Sequence, residues 1–314
     1  MTAIKHVIEI ADLLERPNVN GEYVKEFFDA KGFEDVKVNV EHVKGVKGET
    51  DFIKIVIPGV KGKIVGGNAP TLGIIGRLGG IGARPHLIGL VSDADGAIVS
   101  LAAAYKIAEL RKRGESIEGD VIITTHICPK APVRPYKPVP MMDSPVNIFK
   151  LLKREVDPAM DAILSVDATK ANWIIKHAGF AITPTIKEGW ILKVSNDLIN
   201  VYIRVTGEPP AIVPITMQDL TPYSTPIYHI NSMVQPWLYT SAPLVGVAIT
   251  TRMAVPGSAT GATNIYSLEQ ATRFIVEVAK DFASGKLAFY DKEEWERIIE
   301  IHGSVKEILR KGAP

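Results

Sequence analysis

Ionisable side chains stand at or just beyond the ends of the apolar segments of this 314-residue sequence. Arg77, His126 and Asp167 each end or follow such a segment, and Asp93 and Asp95 precede an alanine-rich one. Sites in open α/β sheets form at the carboxyl ends of the strands, so we expect these side chains to meet. Carboxylates beside a histidine suit proton transfer or the binding of a divalent metal ion.

Each of these side chains also has a structural interpretation. Asp93 and Asp95 would stabilise a helix N-terminus, and Asp167 would need a partner because a buried carboxylate is costly without one. His126 would be a hydrogen-bonded core histidine. Both interpretations stay open from the sequence. We predict Asp93, Asp167 and His126 as catalytic residues, and the same three would be the ligands if a metal ion is bound.

Arginines give the sequence a second kind of site. Arg77 and Arg84 bracket a glycine-rich turn, and Arg252 follows another apolar segment. Guanidinium groups and exposed backbone N–H groups bind carboxylates, although a plain tight turn is the structural alternative. His229, beside Tyr228, is a further candidate. We predict these three arginines and His229 as substrate-binding residues. The turn has neither the P-loop ending nor the Rossmann fingerprint.

Other reactive side chains are less persuasive. Cys128 is the only cysteine, and lone cysteines are usually buried and inert. A nucleophile would need a neighbouring base, and we do not expect His126, two residues earlier, to serve Cys128 in that role. His86 and His177 are expected at the surface.

The elements that must position these groups alternate between helices and strands. Helices are predicted at 1–16, 23–31, 97–113, 146–155, 292–309 and from a capping box at Ser267, with about ten helical residues between 220 and 237. Strands are predicted at 36–40, 52–57, 71–76, 121–127, 162–167, 190–194, 198–205 and 244–249. This order predicts one α/β domain over residues 1–314, a three-layer sandwich whose mostly parallel sheet has helices on both faces. The proline-rich loop 130–145 is either a lid or a packed strap.

Composition excludes several classes of partner. The sequence is 46% hydrophobic and 23% charged, with a net charge of +1, which gives no electrostatic reason to bind nucleic acid or an anionic membrane. No apolar run reaches the ~18 residues of a membrane span, and no signal region is recognisable. One cysteine excludes an internal disulfide framework. We expect a cytoplasmic protein whose partner is a small molecule or a short peptide.

The order of segments resembles the co-catalytic zinc aminopeptidase clan over most of the chain, nearest the tetrahedral and glutamyl aminopeptidases, with aminoacylase and carboxypeptidase relatives further off. The segment 93–96 resembles the clan's bridging-aspartate motif, and 119–125 resembles the strand before its catalytic glutamate pair. The segments 165–169 and 249–252 resemble its next ligand strand and its Pro-Thr-Arg segment. The resemblance implies an aminopeptidase-like fold, hydrolase chemistry and oligomerisation.

The metal ligands of the clan are only partly kept. Its first ligand histidine falls on Arg77, its glutamate pair falls near 127–129, where no carboxylate lies, and no histidine lies near 255–256. Two ligands remain, Asp93 (or Ser92 after a one-residue shift) and Asp167. Two bridged ions with a glutamate base are therefore not expected, although one divalent metal ion is compatible with what remains. The permanent charge of Arg77 is a candidate substitute for a metal ion.

Two functions follow from this. The first is a hydrolase-like protein with a remodelled or lost metal site, acting on a small peptide-like or amino-acid-derived carboxylate. The second is a catalytically inactive homologue that binds a small ligand or serves as an assembly subunit. A homo-oligomer is expected in either case, with 130–145 and 205–240 as candidate contact surfaces.

Overall fold

Helices and strands alternate along the chain in a computed structural model that describes residues 2–77, 79–135, 140–170, 172–216, 230–255 and 263–305. The helices are α1 (Ile4–Glu15), α2 (Gly21–Ala30), α3 (Asp95–Lys112), α4 (Ile148–Glu155), α5 (Asn196–Thr206), α6 (Ile265–Ala283) and α7 (Lys292–His302). The strands are β1 (Lys37–Lys44), β2 (Glu49–Ile57), β3 (Leu72–Gly76), β4 (Val121–Ile127), β5 (Val133–Arg134), β6 (Met141–Met142), β7 (Ala162–Ala168), β8 (Gly179–Ile182), β9 (Ile186–Lys187), β10 (Trp190–Ile191) and β11 (Leu244–Thr250). Short 3₁₀ helices span Lys63–Val65, Ser92–Ala94 and Ser232–Tyr239.

The central sheet has the order β1-β2-β4-β3-β7-β11-β9-β10, with β8 paired to β11 outside this path. Its middle strands β4, β3, β7 and β11 run parallel, whereas β1 and β2 extend it antiparallel at one edge. Because the four middle strands share one direction, their carboxyl ends meet at one edge of the sheet. The predicted α/β fold with a mostly parallel centre is confirmed.

Alternate side chains of the middle strands enter different cores. Ile74 packs on the side of the helices α3 and α6, whereas its neighbour Ile75 packs under the 3₁₀ helix Ser232–Tyr239. Helix α3 is the central helix, since every residue from Asp95 to Ala108 is buried. A Cβ atom on Gly96 would lie 1.7 Å from the backbone oxygen of Arg77, so glycine allows the start of α3 to approach the end of β3.

The predicted strand 198–205 is wrong, because these residues belong to helix α5. Its buried residues Leu198, Val201, Tyr202 and Val205 follow helical spacing, whereas Ile203 is 45% exposed, which a strand face would not allow. Ser195 caps the start through its side chain, and Gly207 ends the helix with a φ of 71°. These caps outweigh the β-branched alternation that suggested a strand.

Other boundaries also differ from the prediction. The capping box at Ser267 is wrong, because α6 begins at Ile265 and the Asn264 side chain accepts hydrogen bonds from the backbone N–H groups of residues 266 and 267. The strand predicted at 190–194 is limited to Trp190–Ile191. The helix predicted between 220 and 237 falls largely on residues outside the described ranges, and the described end is the 3₁₀ helix Ser232–Tyr239.

Candidate functional site

A cavity of about 420 Å³ lies at the carboxyl ends of β3 and β4. Its inner wall comes from Arg77, Gly80, Asp93 and His126. The outer wall is built by the β1–β2 turn, the segment after β6 and the 3₁₀ helix above the sheet, through Val46, Lys47, Arg134, Met142, Asp143, Ser144, Pro145, Val146, Asn147, Ile148, Ser232 and Gln235. This volume suits a small molecule rather than a folded partner.

The described parts of the proline-rich segment form the mouth of this cavity. Strands β5 and β6 pair with each other, and the backbone N–H of Lys47 donates to the oxygen of Pro145. A Cβ atom on Gly45 would lie 2.0 Å from that same oxygen, so glycine permits the close approach. An ion pair between Lys47 and Asp143 joins the two segments on the solvent side. The arrangement corresponds to the packed strap.

Arg77 is fully buried and pairs with Glu155 at the end of α4. Its Nε lies 3.4 Å from Glu155 Oε2, both side chains are 0% exposed, and its Nη1 donates to the backbone oxygen of Ser232. Within the described residues, neither Arg77 Nη2 nor the Glu155 carboxyl oxygens have a hydrogen-bond partner. Burial raises the pKa of Glu155, while the charge of Arg77 lowers it. A buried pair of this kind persists because removing either member leaves an uncompensated charge.

Asp93 lines the cavity with its carboxyl group. It is 8% exposed, and none of the described residues donates a hydrogen bond to its side chain. Burial, then the charges of Asp167 and Asp95, raise the pKa of Asp93 well above its usual value. Burial also raises the pKa of Asp167 to about 6, although Arg77 lowers it. These two carboxyl groups therefore hold protons more tightly than ordinary aspartates.

A second buried ion pair lies beside them, between Asp95 and Lys170. The Lys170 ammonium contacts Asp95 Oδ2, and Thr263 Oγ1 donates to Asp95 Oδ1 at 3.1 Å. Burial raises the pKa of Asp95, while the charge and hydrogen bond of Lys170 lower it. Four buried carboxyl groups thus surround two buried cations, Arg77 and Lys170, so the cluster carries excess negative charge unless protons remain bound.

His126 is held by both ring nitrogens. Its Nε2 accepts a hydrogen bond from the backbone N–H of Gly79 at 2.9 Å, which places the ring proton on Nδ1, 2.9 Å from Thr50 Oγ1. Burial and the charge of Arg77 lower the pKa of His126 to about 3. A neutral imidazole in this state positions the turn after β3 and has no free lone pair for a metal ion.

The other predicted residues lie apart from this wall. Arg84 Nη2 donates to the backbone oxygen of Glu15 at the end of α1. Arg252 is exposed. Burial lowers the pKa of His177, and the charge of Arg252 lowers it as well. The ring of His177 lies 3.0 Å from the Tyr202 hydroxyl. The predicted role of His229 lies outside the described residues.

Two remaining reactive groups are accounted for by their surroundings. His86 is exposed, as predicted. Cys128 is 1% exposed, its thiol donates to the backbone oxygen of Glu49, and burial raises its pKa to about 11. Its thiolate form, which a nucleophile requires, is therefore disfavoured.

The metal centre that the resemblance implies does not fit the described side chains. Across the described ranges, no group of three or more His, Cys, Asp or Glu side chains lies close enough to hold a metal ion. Asp95 is engaged by Lys170, and the ring nitrogens of His126 are both occupied. The cations that pair with the described carboxyl groups of this cluster are Arg77 and Lys170.

Three residues of the site were missed from the sequence. Glu155, Lys170 and Gln235 lie far along the chain from Arg77 and Asp93, and each meets the site only through the fold. Lys170 gave a weak signal, because it follows the strand that contains Asp167 by three residues. Glu155 at the end of an amphipathic helix and Gln235 among prolines gave none.

A solved aminopeptidase structure shares the fold of this chain, and further solved structures resemble it at slightly lower scores. The LapA aminopeptidase of Legionella pneumophila aligns with a TM-score of 0.50 and 11% identity, over 90% of this chain and 70% of that chain. A glutaminyl cyclase from Macrostomum lignano has a TM-score of 0.49 and 14% identity, over 91% and 90% of the two chains. A variant of tomato leucine aminopeptidase has a TM-score of 0.49 and 12% identity, over 88% and 61%. At these identities the likeness concerns the fold alone, and the fold is aminopeptidase-like.

Sequence comparisons give one family. The model of the family DUF1177, whose description is "protein of unknown function", matches residues 41–312. No curated protein sequence matches this chain. Within the described ranges, none of the helices combines the length and the apolar character that crossing a membrane requires.

Proposed function

The chain belongs to the DUF1177 family, and we propose that it is a hydrolase-like protein that cleaves an amide bond in a small, amino-acid-derived carboxylate. The observation that carries this proposal is the carboxyl group of Asp93, to which no described residue donates a hydrogen bond, in the wall of a cavity that Arg77 also lines. A buried carboxyl group with a raised pKa is a stronger base than an ordinary aspartate, and such groups concentrate at functional sites.

The proposed reaction needs one proton carrier and one group that stabilises negative charge. Ionised Asp93 takes a proton from a water molecule as the water oxygen attacks the carbonyl carbon of the amide. Arg77 stabilises the charge that develops on the carbonyl oxygen. As the carbon–nitrogen bond breaks, Asp93 returns the proton to the leaving amine, so that protons and charges balance. Asp167 and His126 act as positioning residues, one through the pKa of Asp93 and the other through the Gly79 turn.

We further propose that the metal site of the aminopeptidase fold has been replaced by internal ion pairs. The supporting observations are the buried pairs of Arg77 with Glu155 and of Lys170 with Asp95. The sequence suggested that Arg77 would lie between Asp93 and Asp167. In the structure Glu155 is the direct partner of Arg77. Burial raises the pKa of Asp167, and the charge of Arg77 lowers it. The Lys170 pair was not anticipated.

A second candidate function is a protein that binds the same class of ligand without catalysis, or as an assembly subunit. The observation in its favour is that His126, the only histidine in the described wall of the cavity, is neutral and fully hydrogen-bonded. In that case Asp93 would contact the ligand and the bound amide would remain intact.

Hydrolysis and metal content distinguish these functions. The purified protein would be incubated with N-acetyl amino acids and with aminoacyl-p-nitroanilides, in EDTA and with added Zn²⁺, Co²⁺ or Mn²⁺. We expect hydrolysis that EDTA leaves unchanged, loss of that activity in Asp93→Asn, and no stoichiometric metal by mass spectrometry. Ligand binding without hydrolysis would favour the second function. Tightly bound zinc at one or two ions per chain would contradict the replacement of the metal site.

A further inference from the structure

Gln235 carries a buried amide to which the described residues offer no hydrogen-bond partner. It lies on the 3₁₀ helix Ser232–Tyr239, it is only 2% exposed, and it lines the cavity. No hydrogen bond joins its side-chain amide to any residue in the described ranges. A buried amide without a hydrogen bond costs free energy, and a ligand group inside the cavity would supply the missing hydrogen bond.

Arg77 offers a second unpaired donor next to the same helix. Its Nη1 donates to the backbone oxygen of Ser232, while its buried Nη2 has no hydrogen-bond partner in the described parts of the chain. The hydrogen bond to the Ser232 backbone oxygen holds the guanidinium at the first residue of the helix that carries Gln235, and both side chains line the same cavity.

We propose that Gln235 and Arg77 together bind one uncharged carbonyl oxygen of the ligand at the inner end of the cavity, and that the carboxylate of the ligand lies at the mouth. This inference rests on the proposed function and names its substrate class. The ligand is a small carboxylic acid that also carries an amide, with the amide inward and the acid outward.

The charges along the cavity give this orientation. At the inner end the charge of Arg77 is matched by Glu155, and Asp93 and Asp167 add only negative charge, so an inward carboxylate would be repelled. Among the described residues at the mouth, the cations Lys47 and Arg134 face one carboxylate, Asp143, so these residues carry net positive charge. An oxygen without net charge therefore suits the inner end, and an anion suits the mouth.

The test is calorimetric binding of defined probes to the full chain. N-acetyl-L-alanine and N-acetylglycine carry both groups, L-alanine lacks the amide, and N-acetyl-L-alanine amide lacks the acid. The variants are Gln235→Leu, which removes the amide at similar volume, and Arg134→Gln, which removes a cation at the mouth. Tyr239→Phe is the matched control, because Tyr239 lies on the same helix and is 42% exposed.

We expect Gln235→Leu to weaken N-acetyl-L-alanine binding about tenfold or more, the size expected for a lost hydrogen bond to a buried group. Its melting temperature should equal or exceed that of the wild type, because an unpaired buried amide has been removed. Arg134→Gln should weaken the acid but leave N-acetyl-L-alanine amide unchanged, and Tyr239→Phe should change neither.

Two results would overturn the inference. One is wild-type affinity of Gln235→Leu for N-acetyl-L-alanine, and the other is equal affinity of the wild type for L-alanine and the N-acetyl probes. Both leave the proposed function intact if Asp93→Asn still abolishes hydrolysis of a p-nitroanilide. The proposed function fails separately if no amide in either panel is hydrolysed.

Discussion

At the scale of single residues, the sequence identified the ionisable groups but could not identify their partners. Arg77, Asp93 and His126 do meet at one cavity, because the carboxyl ends of parallel strands lie together. The partner of Arg77 was not predictable, since Glu155 lies 78 positions later and joins it only when α4 packs beneath the 3₁₀ helix. Pairings between distant residues depend on tertiary packing, which local patterns do not encode.

Asp93→Asn tests the proton carrier. Removal of a general base typically lowers the rate by ~10²–10⁴, and we expect a loss of kcat/KM in that range with little change in fold. In the wild type, kcat/KM should rise with pH through one ionisation above the usual aspartate range, because burial raises the pKa of Asp93. A pH–rate profile of amide hydrolysis measures both effects. A flat profile between pH 4 and 8 would contradict this role.

Asp167→Asn tests how much the buried, ionised carboxylate of Asp167 lowers the free energy of unfolding. The native pKa of Asp167 is raised to about 6, above its value in the unfolded chain, so the native state binds more protons between the two values. Its contribution to stability therefore falls as pH rises through this window. We expect Asp167→Asn to be about 2–3 kcal/mol more stable than the wild type at pH 8, with no gain at pH 4. Urea unfolding at both pH values gives the comparison, and an equal difference at both would refute it.

Substitution of Glu155 tests the contribution of the buried Arg77–Glu155 ion pair to stability. Glu155→Ala leaves the Arg77 guanidinium buried without a counter-charge, and breaking such a pair costs ~3–5 kcal/mol. The double variant Arg77→Met with Glu155→Leu removes both charges and should recover most of that loss, because apolar replacements of buried pairs are often neutral. Chemical denaturation measures the free energies of unfolding. Additive losses in the double variant would show that the two side chains do not interact.

At the scale of elements, the buried strands were the most predictable part of the chain. Short apolar runs that lie between turns, such as 121–127 and 244–249, are typical of buried strands. The structure has strands at both positions. Helix α5 was mistaken for a strand because its β-branched residues also alternate. Its two capping residues, Ser195 and Gly207, are the sequence features that favour the helix over the strand.

The turn after β3 gives a prediction at this scale. A Cβ atom on Gly79 would lie 1.7 Å from the backbone oxygen of His126, whereas one on Gly80 would first meet the mobile end of Met142 at 2.9 Å. We expect Gly79→Ala to destabilise the fold by about 2 kcal/mol or more and Gly80→Ala to fold normally with a narrower cavity. Melting temperatures and ligand affinity test the pair. Equal melting temperatures would show that β4 can move aside.

At the scale of the whole molecule, the predicted homo-oligomer and its contact surfaces stay predictions. Exposed apolar side chains lie on neighbouring loops at the carboxyl edge of the sheet, with Trp173 at 72% and Met253 at 74% exposure. Their loops are joined by a hydrogen bond from the Val255 backbone N–H to the Lys170 oxygen. Exposed apolar side chains on neighbouring loops are typical of contact surfaces when they form a continuous patch.

Light scattering after size exclusion would test this assembly. We expect the wild type to elute at a multiple of the chain mass and Trp173→Asp to elute at a smaller mass, because a buried charge would oppose association. Ile88→Asp is the matched control, since Ile88 is 93% exposed on another loop. A monomeric wild type would contradict the predicted oligomer, and an unchanged Trp173→Asp assembly would exclude this contact surface.

The fully buried arginine has a practical consequence for anyone who handles this protein. A metal ion must be acquired after synthesis, competes with other ions and leaves when a chelator is present. A guanidinium group is made with the chain and keeps its charge at any pH at which proteins stay folded. The positive charge of Arg77 beneath the cavity is therefore in place as soon as the chain has folded. It does not depend on the supply of trace elements, and dialysis cannot remove it.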